Sequence, residues 1–203
     1  MTNPQRRLRP RGFLLALGAA ALAAGTLIAF FWPRPPDFRL ITVPPGPDLS
    51  DLRLVDHDGR PRSLADYRSR VLVIYFGYVH CPDTCPAELF KLAQVMKRLG
   101  PVSKRVQVLF ITLDPERDTP QVLKGYVRAF DPDFIGLTGT AAQIGKAAAS
   151  FNIQYAKVPL GNDYTLEHSS ETFVLDVPGR RGLIGSPATS IDDFAHDIKE
   201  LVR

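Results

Sequence analysis

Acidic residues are absent from the first 36 positions of this 203-residue chain, and their absence there explains the overall positive charge. A formal net charge of +4 and an isoelectric point of about 9.2 would suit an anionic partner such as nucleic acid. Five of the 25 basic residues lie in this acid-free segment, so positions 37–203 hold 20 basic residues and all 21 acidic ones. Because that remainder is nearly neutral, it offers no surface that would follow a phosphate backbone, and we exclude nucleic-acid binding.

Charged residues are also missing from positions 13–32, a run of 20 mainly apolar residues. A helix of this length is long enough to cross about 30 Å of hydrocarbon. Arginines precede the run, so the positive-inside rule keeps a basic tip at 1–12 in the cytoplasm and exports the rest. The alternative is a cleaved signal peptide, which usually has a shorter apolar core. We predict an uncleaved single-pass anchor at 13–32.

Proline supplies six of the fifteen residues at positions 33–47. This composition favours polyproline II, so we expect a semi-rigid linker of about 45 Å between the anchor and a single domain at 48–203. Internal repeats and low-complexity tracts are absent. Twelve residues before the anchor leave little room for a mitochondrial transit peptide, so we predict a bacterial inner membrane protein with its C-terminal domain in the periplasm.

Val71–Gly77 is an unbroken apolar run, typical of a parallel strand that is buried on both faces, and 106–113 is predicted as a second buried strand. Between them a helical pattern begins near Cys85 and stops at Gly100. Further helices are predicted at 120–130, 141–151 and 191–202, and further strands at 135–138, 153–158, 172–177 and 182–185, after a β extension at 52–67. This order predicts a thioredoxin-like, peroxiredoxin-like α/β fold, a three-layer sandwich with an N-terminal β extension.

Only two cysteines occur, Cys81 and Cys85, at the junction of the first buried strand and its helix. A helix N-terminus lowers the pKa of a thiol, so at least one should be a ready thiolate. Three residues separate the cysteines, rather than the two of common dithiol oxidoreductases, and this wider loop suits a shared metal ion. Thiolates favour Cu(I), and two of them fall short of the four ligands of structural zinc. A third donor must therefore come from elsewhere in the fold.

Histidine is the natural third donor, and the chain has four. His57 and His196 are predicted to be solvated surface residues. His80 adjoins Cys81, and adjacent side chains in an extended segment point to opposite sides. His168 precedes the predicted strand at 172–177, whose entry loop faces the cysteines in thioredoxin-like folds. We therefore predict His168 as the ligand.

Three segments together resemble the Sco/SenC family of copper proteins. They are FGYVHCPDTCP at 76–86, LDPERDTP at 113–120 and YTLEHSS at 164–170, and they occur in the family's order. The resemblance covers about residues 48–202 and the anchor. Val79 and Glu167 stand where many members have Thr and Asp, and neither change removes a donor.

The resemblance implies one copper ion, Cu(I) or Cu(II), held by Cys81, Cys85 and His168. It also implies a role in building the dinuclear copper centre of subunit II of cytochrome c oxidase, with that subunit or another copper-accepting protein as the partner. A metallochaperone is the preferred function. The alternatives are a thiol–disulfide oxidoreductase that cycles the two cysteines, and a thiol peroxidase that uses Cys81.

Other residues near these motifs have two interpretations each. Asp114, Glu116 and Asp118 would either touch the copper site or its partner, or shape a turn and cap the following helix, with Asp118 or Thr119 as the cap. Tyr78 would either face a partner or pack in the core. Tyr75, Phe76 and Phe110 are predicted to be core residues.

Overall fold

The computed structural model describes residues 36–44, 52–67, 69–176 and 182–202. The predicted basic tip at 1–12 and anchor at 13–32 lie outside the described residues. Among the described residues, no helix is both long enough and apolar enough to cross a membrane.

Helices α1 to α4 are Thr84–Leu99, Pro120–Arg128, Ala141–Ser150 and Ile191–Val202, and short 3₁₀ helices lie at Leu64–Tyr67 and Gly100–Arg105. Strands β1 to β10 are Ile41–Val43, Arg53–Asp56, Pro61–Ser63, Val71–Gly77, Val106–Thr112, Ile135–Thr138, Tyr155–Leu160, Asp163–His168, Thr172–Leu175 and Gly182–Gly185.

Eight of the described strands form one mixed sheet in the order β1-β10-β9-β4-β5-β6-β2-β3. Strands β4, β5 and β6 are parallel, while β9 runs antiparallel to β4 on its other side. All seven residues of β4 and all seven of β5 are buried, as expected for central strands covered on both faces. The two strands that were predicted to be buried therefore form the centre of the sheet, as expected.

Helices cover both faces of this sheet. Tyr75 and Phe110 lie on one face, where the Phe110 ring packs against Tyr126 of α2 with 5.6 Å between ring centroids. Phe76, the next residue of β4, points to the other face and packs against Phe151 at the end of α3, at 5.3 Å. The three-layer α/β sandwich is thus confirmed, and these three aromatic side chains are core residues as predicted.

The predicted β extension is the antiparallel hairpin β2–β3, which joins the sheet through β6. Part of the predicted linker also belongs to the sheet, because β1 pairs antiparallel with β10. Leu40 is buried, and its N–H and that of Arg39 donate to Asp197 at 2.7 and 2.9 Å. The prolines that suggested a spacer leave positions 37–43 free of proline, and this stretch docks as an edge strand.

A second hairpin, β7–β8, forms a separate two-stranded sheet. The sequence predicted only one strand here, at 153–158, and treated the residues before His168 as a loop. Gly161 occupies the hairpin turn with φ of 60°, a conformation that glycine adopts without strain. His168 is the last residue of β8, so the hairpin carries a predicted metal ligand.

Candidate metal centre

The cysteines follow β4 directly. Cys81 lies in the connection between β4 and α1, and Cys85 is the second residue of α1. A Cβ atom at Gly77 would lie 2.8 Å from Cys85 Sγ and 2.9 Å from a ring carbon of Phe110. Glycine at the end of β4 therefore provides the room that the buried Cys85 thiol occupies.

The structure brings Cys85 and His168 into contact, with 3.6 Å between Sγ and Nε2. Cys81 Sγ accepts the backbone N–H of Cys85 at 3.4 Å, and both cysteines are free thiols. In the described part of the chain, no three His, Cys, Asp or Glu side chains form a group that could hold a metal ion. The predicted donors are thus neighbours joined by two contacts, but they do not form a closed three-donor set.

The ring orientation of His168 suits metal binding. Its Nδ1 lies 2.6 Å from the carbonyl oxygen of Ser169, which only accepts hydrogen bonds. The hydrogen-bond pattern therefore assigns the proton to Nδ1 and leaves the lone pair of Nε2 directed toward Cys85. Two sulfur donors and an imidazole nitrogen are chemically suited to copper.

Aromatic side chains enclose the contact. The His168 ring meets Tyr75 and Tyr78 edge-on, with centroid distances of 6.4 and 6.0 Å. The Tyr75 hydroxyl donates to Cys85 Sγ at 3.7 Å, and the Tyr78 hydroxyl is 2.7 Å from Thr165 Oγ1 in β8. Tyr78 is only 2% exposed, so it packs in the interior and links the cysteine segment to the hairpin.

Burial raises the pKa of the Cys85 thiol to about 12, although hydrogen bonding to the Tyr78 backbone acts in the opposite direction. At Cys85, desolvation therefore outweighs the effect of the helix N-terminus, so this sulfur is not the ready thiolate that was expected of at least one cysteine. Metal binding at this sulfur must displace a proton.

A model of the SCO1/SenC family matches residues 47–203. The chain belongs to this family.

Curated and solved Sco proteins agree with that assignment. The chain is 44% identical over 133 residues to the mitochondrial SCO2 homolog of Bos taurus. The matched region covers 64% of this chain and 50% of that protein. It therefore spans about half the length of this relative. Among solved structures, Bradyrhizobium japonicum ScoI with copper bound is similar at 33% identity and a TM-score of 0.69, covering 79% of this chain and 99% of ScoI. Apo Sco1 from Thermus thermophilus is similar at 32% identity and a TM-score of 0.72, covering 83% and 99%.

The other histidines of this Sco chain lie elsewhere. His80 is about half exposed, with Nδ1 3.8 Å from Asp118 Oδ1. His196 is partly buried, with Nδ1 2.9 Å from Asp197. The prediction of a solvated His57 is wrong, since it is only 6% exposed and its Nδ1 accepts the N–H of Gly136 at 3.0 Å. His57 instead lines a cavity of about 780 Å³ whose lining does not include the three predicted donors.

The acidic residues of the 113–120 segment have structural partners. Asp118 is fully buried and accepts hydrogen bonds from Val79 N–H at 3.0 Å and from the Thr112 hydroxyl at 2.6 Å, which fixes the cysteine segment. Thr119, not Asp118, caps α2, since its hydroxyl oxygen accepts Val122 N–H. Burial raises the pKa of Asp118 above its usual value.

Sequence reasoning missed Arg117 and Tyr164 as residues near the site. Arg117 donates to Asp114 within its own loop and to Asp163 and the Tyr164 carbonyl in the hairpin. The available signal was that Arg117 lies in the 113–120 motif and Tyr164 in the 164–170 motif. Contact between these two residues requires the β7–β8 hairpin, which was not predicted from the sequence.

Proposed function

We propose that this chain binds one copper ion through Cys81, Cys85 and His168 and delivers it to a protein acceptor, the dinuclear copper site of cytochrome c oxidase subunit II. The contact of 3.6 Å between Cys85 Sγ and His168 Nε2, with Cys81 Sγ beside the Cys85 amide, carries the proposal. The copper bound to the similar ScoI of Bradyrhizobium japonicum supports it.

The chemistry of the donors suits a cargo ion that is held and then released. Thiolates are soft ligands that favour Cu(I), and imidazole also binds copper. Cys81 is partly exposed while Cys85 is fully buried, so an acceptor thiolate would reach the metal from the Cys81 side. Transfer by ligand exchange then needs no free copper ion in solution.

Tethering is part of the same proposal. We expect the apolar run at 13–32 to anchor the chain in a bacterial inner membrane, with the copper-binding domain in the periplasm. An anchored domain stays near a membrane-bound acceptor, which raises the effective concentration of one for the other.

The test is copper binding by the full chain, reduced and purified in detergent, with His168→Ala as the main variant. We expect about one Cu(I) per chain and an affinity at least about tenfold lower for His168→Ala, since an inner ligand is lost. The loss of Cu(I) affinity should be greater in Cys81→Ala and in Cys85→Ala than in His168→Ala. His80→Ala is the matched control, because this neighbouring histidine is half exposed and faces Asp118 rather than a sulfur.

Wild-type affinity in His168→Ala would contradict the three-donor site. No copper retained by the reduced wild-type chain would contradict the chaperone function and favour the second candidate below.

The second candidate is a thiol–disulfide oxidoreductase, favoured by the pairing of a partly exposed Cys81 with a buried Cys85. Cys81 would attack the acceptor's disulfide, and Cys85 would then displace the acceptor thiol. Two electrons pass to the acceptor, which leaves with two thiols, while Cys81 and Cys85 form a disulfide. This activity does not need His168, so reductase turnover that survives His168→Ala while copper binding is lost would separate the two functions.

A further inference from the structure

The hairpin that carries His168 has little buried surface of its own. Five of the six residues of β7 are exposed, and Leu166 is the one buried residue of β8. A two-stranded hairpin is marginally stable alone. The position of His168 therefore depends on the few side chains that fasten the hairpin to the rest of the domain.

Arg117 makes the most extensive of these attachments. Its Nε donates to Asp114 Oδ2, while its Nη1 donates to Asp163 Oδ1 at 3.0 Å and to the Tyr164 carbonyl at 3.1 Å. One planar guanidinium group thus joins the 113–119 loop to the first two residues of β8. A lysine has a single nitrogen and does not reproduce this fork of donors.

Tyr164 closes the same group of contacts from the hairpin side. Its hydroxyl donates to Asp114 Oδ1 at 2.8 Å, and its ring lies under the Arg117 guanidinium at 3.8 Å from the centroid. Asp114 is 1% exposed, and each of its carboxylate oxygens accepts one of these bonds. Such charge-assisted contacts are strong when they are shielded from water. We call Asp114, Arg117 and Tyr164 the clamp.

The clamp connects His168 to the cysteines through the protein frame. On one side, the loop is bonded to the cysteine segment, because Leu113 N–H donates to the Gly77 carbonyl at 2.7 Å and Asp118 accepts Val79 N–H. On the other side, Tyr164 and His168 belong to one strand and, four residues apart, lie on the same face of it. A shift at Tyr164 is therefore transmitted along β8 to the imidazole.

We propose that the clamp of Asp114, Arg117 and Tyr164 is a positioning device that holds His168 in register with Cys85, and so decides whether the imidazole joins the two thiols in metal binding. The inference rests on the proposed copper site for its functional consequence, but the positioning itself does not require metal. Without the clamp, the site is a two-sulfur site with a displaced histidine.

Lys157 provides a matched control in the same place. Its Nζ lies 4.3 Å from the centroid of the Tyr164 ring and 2.7 Å from Glu116 Oε2, so it also joins the hairpin to the loop. Lys157 and Glu116 are about half exposed or more, and exposed ion pairs contribute little. Removing the Lys157 charge therefore tests whether any positive charge near the Tyr164 ring is enough to hold the hairpin against the loop.

The first measurement is hydrogen–deuterium exchange of the metal-free full chain. In Arg117→Met, amides at 163–168 should exchange about tenfold faster, because the charge-assisted bonds that close the hairpin onto the loop are lost. Amides of β4 should not change. Lys157→Met should change the 163–168 amides less than about twofold. Wild-type exchange in folded Arg117→Met would overturn the proposal.

The second measurement is Cu(I) affinity in a double-mutant cycle with His168→Ala. Arg117→Met should lower affinity toward the His168→Ala value and should have no further effect when His168 is already absent, because the clamp acts through that residue. An equal loss in both backgrounds would mean general structural damage and would overturn the positioning role. If Arg117→Met does not fold, Tyr164→Phe, which removes only the hydroxyl bond to Asp114, takes its place with the same expected pattern.

The two proposals fail in different ways. A wild-type chain that binds no copper contradicts the proposed function, while the exchange experiment still decides whether the clamp holds the hairpin.

Discussion

The two halves of the candidate metal site are held by very different parts of the molecule. Cys81 and Cys85 follow β4, whose seven residues are all buried, and Cys85 is itself fully enclosed. His168 ends a hairpin that is mostly exposed. Local opening costs least where few apolar contacts and many exposed backbone bonds occur. The thiols are therefore the fixed half of the site and the imidazole is the adjustable half.

This difference has a functional meaning for the proposed copper chaperone, which would both hold and release an ion. A donor whose support opens locally can leave first and vacate a position for an incoming ligand, while the fixed donors keep the ion bound. The comparison can be tested by changing the fixed half, the link between the halves and the adjustable half in turn.

The largest effect is expected in the fixed half, for Gly77→Ala. A methyl group there would lie 2.8 Å from Cys85 Sγ and 2.9 Å from Phe110, so the sulfur or the ring must move. Overpacking of this kind costs about 1–3 kcal/mol in the free energy of unfolding. Urea unfolding of the metal-free protein measures this cost, and copper affinity should fall with it.

Gly125→Ala is the control for that experiment. Gly125 lies inside α2, where an added Cβ meets nothing within 4 Å, so alanine should stabilise the protein by about 0.5–1 kcal/mol. If Gly77→Ala kept the wild-type stability and copper affinity, the idea that Cys81 and Cys85 are the fixed half of the site would be contradicted.

The same contrast explains how much of the fold the sequence could predict. Strands β4 and β5 lie in the interior, so nearly all their residues are apolar, and the strands can be predicted directly from the sequence. The main exception, Gln107, is buried with its side chain hydrogen-bonded to Arg70 and to the Asp133 carbonyl. Hairpin β7–β8 has no such pattern, because most of its residues face solvent and Pro159 interrupts the strand signal. The Gly161-Asn162 turn was the one local sign of it.

The site was predictable to the extent that its chemistry is local. The two cysteines and their place between strand and helix follow from a short stretch of sequence, whereas the pKa of Cys85 depends on burial by residues from several elements. His57 illustrates the same limit. Its neighbours Asp58 and Gly59 suggested a surface turn, but its Nδ1 bonds to Gly136, 79 positions away.

An intermediate effect is expected at the link between the halves, for Asp118→Asn. Both hydrogen bonds of Asp118 are accepted by Oδ2, which an asparagine oxygen can replace. Its Oδ1 is buried and has no hydrogen-bond partner among the described residues. The basic group closest to this oxygen is the half-exposed His80 ring, 3.8 Å away, so we expect removal of the buried charge to raise the free energy of unfolding at neutral pH by about 1 kcal/mol.

The pH dependence of the free energy of unfolding is a second test of the stabilisation expected in Asp118→Asn. Burial raises the pKa of Asp118 in the folded protein, so the folded state binds the proton more tightly than the unfolded state. Wild-type stability should therefore decrease as pH rises from the unfolded pKa toward the folded one, and this component should vanish in Asp118→Asn. The advantage of the variant grows with pH over that window and is constant above it.

Asp114→Asn is the contrasting variant. Both oxygens of Asp114 are bonded, one to the cationic Arg117, so losing this charge should destabilise the protein. If both asparagine variants destabilised the protein alike at neutral pH, the distinction between a buried carboxylate paired with arginine and one with an oxygen that accepts no hydrogen bond would fail.

The smallest effect is expected at the tip of the adjustable half, for Leu160→Ser. Leu160 is 67% exposed, and substitutions at such positions usually change the free energy of unfolding by less than about 0.5 kcal/mol. Exchange of the 163–168 amides and Cu(I) affinity should both stay at wild-type values. A change at Arg117 affects the same hairpin through a mostly buried guanidinium, so comparing the two variants separates attachment at the clamp from apolar packing at the tip. Faster exchange in Leu160→Ser would mean that the tip itself holds the hairpin in place, and His168 would then be positioned by the whole length of β7–β8 rather than from its clamped end.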